Sequence, residues 1–149
     1  MTKLERCKIA SAHHAEGFNC SQSVVAVFDD LTGLDEQTAM NLGAGFGGGG
    51  GMGELCGALS GGMIVLGLLT PVDMEDPVAS KKRTVALSKE LQRRFMERYG
   101  ALRCHDLLAN KEKSNETSPA AKRLGLTKHC DLMIVSAVEL VEEILAERS

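Results

Sequence analysis

Apolar residues recur along most of the chain at the spacing of an α-helix. The clearest case is the C-terminal segment, whose apolar residues form one stripe with glutamates mostly on the other side: Cys130, Ile134, Val138, Val141 and Leu145. Leu87, Leu91 and Phe95 repeat at a spacing of four in the middle of the chain. No window alternates with the period of two that a half-buried strand would show. The pattern predicts an all-α fold, a bundle of about five or six helices.

Capping residues mark where several of these helices begin. Asn19 has a glutamine three residues later, in the register of a capping box, and is predicted to open a helix that extends to Leu31. Asp76 is predicted to cap a long helix that ends at Tyr99, and Thr127 to cap the last helix. Shorter helical segments are expected at 4–17, 35–42, 104–109 and 120–124.

A glycine-rich segment precedes the most apolar part of the chain. Eight of the eleven residues from 43 to 53 are glycine, which is too unfavourable in a helix interior, so the segment predicts a loop. Residues 55–72 carry no charge, and glycines and Pro71 interrupt them. We therefore expect a buried central helix from Glu54 to about Leu69 rather than a membrane span. The spacing of Gly57 and Gly61 predicts close packing against another helix.

Composition and charge narrow the class of protein. A chain of 149 residues is long enough for one domain with its own core, so residues 1–149 are predicted to form a single helical domain. A net charge of −3 provides no general attraction for nucleic acid or anionic membrane, and we expect neither as a partner. The charged N-terminus is not followed by an uninterrupted apolar stretch, which predicts a cytoplasmic protein without a secretory signal.

Four of the five cysteines lie at or near predicted helix starts: Cys20, Cys56, Cys104 and Cys130. Backbone N–H groups and the helix dipole favour a thiolate at such positions, and the thiolate is both the nucleophile and the metal ligand. The separations of 36, 48 and 26 residues fit no short zinc or C-x-x-C motif, so the fold would have to bring the sulfurs together. Cys7 lies within a predicted helix and is expected to pack in the core.

Residues 53–62 read Gly-Glu-Leu-Cys-Gly-Ala-Leu-Ser-Gly-Gly, with Cys20 before them and Cys104 and Cys130 after them. This arrangement resembles the C_GCAxxG_C_C family of redox-active proteins, over a core of about residues 19–145. One departure is that Leu55 precedes Cys56, where the family pattern has glycine. The resemblance implies a helical fold and a redox or metal-linked role for the four cysteines.

Three interpretations of the four cysteines remain open. In the first, they hold an iron–sulfur cluster, zinc or another metal for electron transfer, close to the backbone of five glycines: Gly49, Gly50, Gly51, Gly53 and Gly57. In the second, Cys20 and Cys56 form the working pair of a thiol–disulfide oxidoreductase or thiol-dependent reductase. In the third, the thiols are inert and the chain is a non-catalytic assembly module. Covalent c-type haem is excluded, because the chain has no C-x-x-C-H motif.

Other polar residues lead to weaker expectations. His13 and His14 are expected to face solvent, as surface histidines usually do. The segment Lys81–Arg103 contains eight basic residues against two glutamates, which predicts a solvated helix face or a docking site for an acidic redox partner. The glycine-lined apolar segment also predicts a homodimer, because it allows another subunit to approach closely.

Overall fold

The computed structural model describes residues 1–110 and 114–148, and these residues form nine α-helices and no β-strand. The all-α prediction is confirmed. A π-type turn at Gly49–Gly53 and a short 3₁₀ turn at Asn115–Thr117 complete the regular structure. The helices, in chain order, are α1 Lys3–Ala15, α2 Cys20–Ala26, α3 Asp29–Thr32, α4 Glu36–Gly43, α5 Gly57–Leu68, α6 Pro77–Tyr99, α7 Cys104–Ala109, α8 Pro119–Leu124 and α9 His129–Arg148.

Helices α5 and α9 form the centre of the bundle. Helix α9 packs against α1, α2, α5, α6 and α8, and its residues from Leu132 to Val141 are all buried. Helix α5 packs against α2, α6 and α9. Among the residues that the structure describes, no helix combines the length and the apolar character that a membrane span requires.

Two glycines of α5 allow neighbouring helices to come close. A Cβ added at Gly61 would lie 2.9 Å from the carbonyl oxygen of Ser21, so the backbones of α2 and α5 are in direct contact. A Cβ at Gly62 would lie 2.8 Å from the side chain of Leu91, whereas Gly67 faces Thr84. Because residue numbers rise along α5 as they fall along α6, the two helices are antiparallel.

The central helix begins at Gly57 and not at Glu54, where we predicted its start. The residues before it are extended, because Leu55 forms an isolated antiparallel bridge with Arg103. Two backbone hydrogen bonds hold this bridge, from Cys56 N–H to Leu102 C=O at 2.9 Å and from Cys104 N–H to Glu54 C=O at 2.6 Å. Pairing with a distant part of the chain thus replaces the first helical turn.

The predicted helix from Asn19 to Leu31 is interrupted in its middle. Helix α2 ends at Ala26, and α3 follows as a separate short helix. The buried guanidinium of Arg6 donates a 2.6 Å hydrogen bond to the carbonyl oxygen of Val27, which would accept from Leu31 in a continuous helix. A side chain from α1 therefore takes the acceptor that the helix would need.

The predicted helix caps are largely present. Asn19 and Gln22 form a reciprocal capping box at the start of α2, and the Asp76 side chain accepts from the first turn of α6. Helix α9 begins at His129, two residues after Thr127. Local hydrogen bonding thus fixes the starts of α2 and α6.

The glycine-rich segment contains four consecutive residues, 48–51, with positive φ angles between 62° and 75°. A side chain in this left-handed conformation would cost about 1–2 kcal/mol per residue. Within this run Gly49 is buried against the backbone of Glu54. The glycines thus allow a tight reversal between α4 and α5.

Candidate functional site

The structure places the four cysteines that the sequence singled out at or just before the starts of four helices. Cys20 and Cys104 are the first residues of α2 and α7, Cys130 is the second residue of α9, and Cys56 immediately precedes α5. The pKa of the Cys20 thiol is raised by its hydrogen bond to Cys130, by burial, and by the charges of all three other cysteines. Cys56, Cys104 and Cys130 therefore all lie within electrostatic range of Cys20.

Backbone contacts position two of these cysteines. The bridge between Leu55 and Arg103 places Cys56 and Cys104 on neighbouring extended segments. A Cβ at Gly57 would lie 3.4 Å from the Cβ of Cys20, which packs the start of α5 against the start of α2. A bulkier residue after Cys56 would push these two cysteine-bearing elements apart.

The closest cluster of potential metal ligands consists of Cys20, Cys130 and His14. Both sulfur atoms and a ring nitrogen of His14 lie within 4.8 Å of one another. The Nδ1 atom of His14 is 3.0 Å from Oδ1 of Asp131, and both side chains are largely buried, with 30% and 14% of their surface exposed. The expectation that His14 faces solvent was wrong, because α9 covers this face of α1.

Cys20 and Cys130 differ in their tendency to ionise. The hydrogen bond from Cys20 lowers the pKa of Cys130, against the opposing effects of burial and of the Asp131 carboxylate. The same hydrogen bond and burial raise the pKa of Cys20. Of the two, Cys130 is therefore the one that favours the thiolate and Cys20 the one that favours the thiol.

The other two cysteines of the cluster favour the protonated form when no metal is bound. Burial raises the pKa of Cys56 to about 11, although the backbone N–H groups of Ala58 and Leu59 act in the opposite direction. Burial also raises the pKa of Cys104, and the charge of Cys130 adds to this effect. A cation would have to displace these protons in order to bind.

Cys7 lies outside the cluster. It is fully buried, its thiol donates to the carbonyl oxygen of Val135 at 3.9 Å, and burial raises its pKa to about 12. These properties agree with the predicted packing role. His105, next to Cys104, is 78% exposed.

The five glycines that we expected near a cofactor have different surroundings: Gly49, Gly50, Gly51, Gly53 and Gly57. Gly57 packs directly against Cys20, whereas Gly53 faces the Cβ of His105. Gly50 and Gly51 are exposed, and a Cβ on either would meet open space. By these contacts, Gly57 is the glycine most closely associated with the cysteines.

The basic segment predicted from the sequence is partly neutralised. Four of its arginines form ion pairs with glutamates: Arg93, Arg94, Arg98 and Arg103. The exposed residues Lys81 and Lys82 lie near the start of α6. Because α5 and α6 are antiparallel, this end of α6 is remote from Cys56.

The sequence matches a known protein family over the region that contains the four cysteines. The family model described as "Putative redox-active protein (C_GCAxxG_C_C)" matches residues 18–144. The chain belongs to this family. The match includes the four clustered cysteines, whereas His14 lies before it. Neither curated proteins nor solved structures gave a match to this chain.

His14 and Asp131 are the site residues that sequence reasoning missed. The periodicity of α1 contained a signal, because Cys7 and Ala10 are buried and His14 follows at helical spacing on the same face. Its partner Asp131 lies 117 positions further along the chain, and no local pattern joins the two.

Proposed function

We propose that this protein is a redox-active metalloprotein in which Cys20, Cys56, Cys104 and Cys130 bind a metal centre for electron transfer. The observation that carries the proposal is that Cys20 interacts electrostatically with the other three thiols, each of which lies at a different helix start. A dithiol reaction needs only two of them. Four thiolates are the usual ligand set of iron–sulfur clusters and of tetrahedral thiolate-bound zinc.

The surroundings of the cysteines suit such a centre. Cys56 is buried, and the other three thiols are half-buried, so the protein would shield a bound metal while leaving one side near the surface. The lowered pKa of Cys130 supplies one thiolate before any metal binds. An iron–sulfur cluster, when bound, would supply one-electron redox chemistry.

Anaerobic purification followed by analysis of iron, sulfide and zinc tests this proposal. We expect bound metal in the wild type and a large loss of metal on Cys→Ser substitution at any of the four clustered positions. The variant Cys7→Ala removes a cysteine outside the cluster and should retain the metal. A wild-type protein that remains metal-free after anaerobic incubation with iron and sulfide, and separately with zinc, would refute the proposal.

A second candidate function is thiol–disulfide exchange, which the unequal ionisation of Cys20 and Cys130 favours. The Cys130 thiolate would attack a disulfide substrate and form a mixed disulfide, while the other substrate sulfur leaves and takes a proton. Cys20 would then lose its proton and attack the Cys130 sulfur, which forms a Cys20–Cys130 disulfide and releases the second substrate thiol. The substrate gains two electrons from the two cysteines and two protons, one from the Cys20 thiol and one from solvent.

Oxidation with oxidised glutathione, followed by peptide mass mapping, separates the two functions. A reversible disulfide between Cys20 and Cys130 would support exchange, and one between Cys20 and Cys56 would support the pair predicted from the sequence. Replacing both Cys56 and Cys104 with serine should abolish the metal centre but leave exchange by the other pair intact. The absence of any disulfide among the four cysteines would eliminate the exchange reaction.

A further inference from the structure

We propose that His14 is a ligand of the metal centre and that Asp131 is the residue that orients its imidazole. The inference rests on the proposed metal centre and adds a nitrogen ligand to it. Its basis is a cluster of one ring nitrogen of His14 and the sulfur atoms of Cys20 and Cys130, all within 4.8 Å of one another.

The spacing of these three atoms is close to what a single ion requires. With metal–sulfur distances of about 2.3 Å and metal–nitrogen distances of about 2.0 Å, two ligand atoms of a tetrahedral ion stand about 3.5–3.8 Å apart. The observed limit of 4.8 Å exceeds this spacing by about 1 Å. Small side-chain rotations are sufficient to close such a gap.

The hydrogen bond to Asp131 prepares the imidazole for metal binding. The carboxylate accepts a hydrogen bond from Nδ1–H, at 3.0 Å, which leaves Nε2 as the nitrogen with a free lone pair. A carboxylate in this position fixes the tautomer and the ring orientation of a histidine ligand and increases its basicity. Asp131 is 14% exposed, so water competes little for this contact.

The donors fall into two groups. Cys20, Cys130 and His14 form one group, and the bridge between Leu55 and Arg103 sets the segments that carry Cys56 and Cys104 side by side. An added neutral imidazole brings no negative charge to the metal, unlike a further thiolate, and neutral nitrogen ligands favour a higher reduction potential. The proposed centre is therefore a mixed thiolate and imidazole site, and its nitrogen ligand comes from a helix that precedes the matched family region.

Zn²⁺ binding to the reduced protein under anaerobic conditions tests the role of His14. Competition with a chelator measures the zinc affinity, and X-ray absorption at the zinc edge identifies the ligand atoms. In the wild type we expect a first shell that contains nitrogen as well as sulfur. His14→Ala should lose the nitrogen signal and bind zinc about tenfold more weakly or worse than the wild type. Asp131→Asn should bind zinc about 10–100-fold more weakly than the wild type. Added imidazole should restore part of the affinity of His14→Ala.

The adjacent histidine provides the matched control. His13 lies on the same helix, and its ring packs against Phe18 with 5.9 Å between the ring centroids, so His13→Ala should keep the zinc affinity and the nitrogen signal. An all-sulfur first shell in the wild type, or equal affinities for His14→Ala and His13→Ala, would overturn the role of His14 and leave the four-cysteine centre standing. A wild type that binds neither zinc nor iron would overturn both.

Discussion

The contact between α2 and α5 leads to a sharp prediction about two glycines of the same helix. A Cβ at Gly61 would lie 2.9 Å from the carbonyl oxygen of Ser21 and 3.0 Å from the Cβ of Val24. At Gly67 the nearest atom would be the Cγ2 of Thr84, at an ordinary distance of 4.0 Å. Gly61→Ala and Gly67→Ala therefore differ in packing, while the chemical change is the same.

The magnitudes follow from two opposing effects. Alanine stabilises a helix interior by about 0.5–1 kcal/mol relative to glycine, which applies in full at Gly61, whereas Gly67 lies in the last turn of α5 and gains at most this amount. At Gly61 the contacts would have to lengthen by about 0.5–1 Å to reach the usual separation of about 3.5–4.0 Å. Such overpacking costs about 1–3 kcal/mol. We expect Gly67→Ala to be slightly more stable than the wild type, and Gly61→Ala to be about 1–3 kcal/mol less stable than Gly67→Ala.

Urea unfolding under reducing conditions, monitored by circular dichroism, measures this difference in stability. In thermal unfolding, the midpoint temperature should differ by about 2–4 °C for each kcal/mol of difference. Because Cys20 lies beside Ser21, Gly61→Ala should also weaken metal binding, whereas Gly67→Ala should not. A Gly61→Ala protein as stable as Gly67→Ala would show that α2 and α5 are not in backbone contact, and the argument would fail.

Other predictions concern charge, ionisation and assembly. Iodoacetamide should modify Cys130 at a lower pH than an ordinary thiol, since the thiolate fraction rises as the pH passes through its lowered pKa. Cys20→Ala removes the hydrogen-bond donor and should shift the pH–rate profile of Cys130 to higher pH. Cys20→Ser retains a donor and should shift the profile less. Identical profiles in the wild type and in Cys20→Ala would show that Cys20 does not lower the pKa of Cys130. Arg98→Ala should lower the free energy of unfolding by about 2 kcal/mol in urea titrations, because it leaves the 2% exposed carboxylate of Glu139 without its cation. A loss of unfolding free energy below about 0.5 kcal/mol would show that the remaining hydrogen bonds of Glu139 stabilise its buried carboxylate without Arg98. We still expect a homodimer, and a monomeric mass in analytical ultracentrifugation would contradict that expectation.

The features that were predictable from the sequence depend on neighbours along the chain. The capping box of Asn19 and Gln22 joins residues three positions apart, and Asp76 caps α6 over the same distance. The clustering of cysteines at helix starts was visible for the same reason, since a helix start is a local property. Residue spacing could not show that Cys20 and Cys130 come together with His14, because these residues lie on three different helices.

The errors all involve partners that are distant in sequence. The start of α5 moved because Leu55 pairs with Arg103, and α2 broke because Arg6 takes the carbonyl of Val27. His14 was assigned to solvent because its partner belongs to the last helix. In each case a polar group found a better hydrogen-bond partner through tertiary contact than the local pattern offered.

The contact between His14 and Asp131 also has a consequence for biosynthesis. The ribosome releases the N-terminal part of a chain first, so α9 emerges after the helices that carry Cys20, Cys56 and Cys104. During translation these three thiols lack Cys130, and His14 lacks the carboxylate that orients it. The proposed donor set is complete only when α9 has been synthesised and docks, so the proposed metal centre would form after α9 folds onto the rest of the bundle.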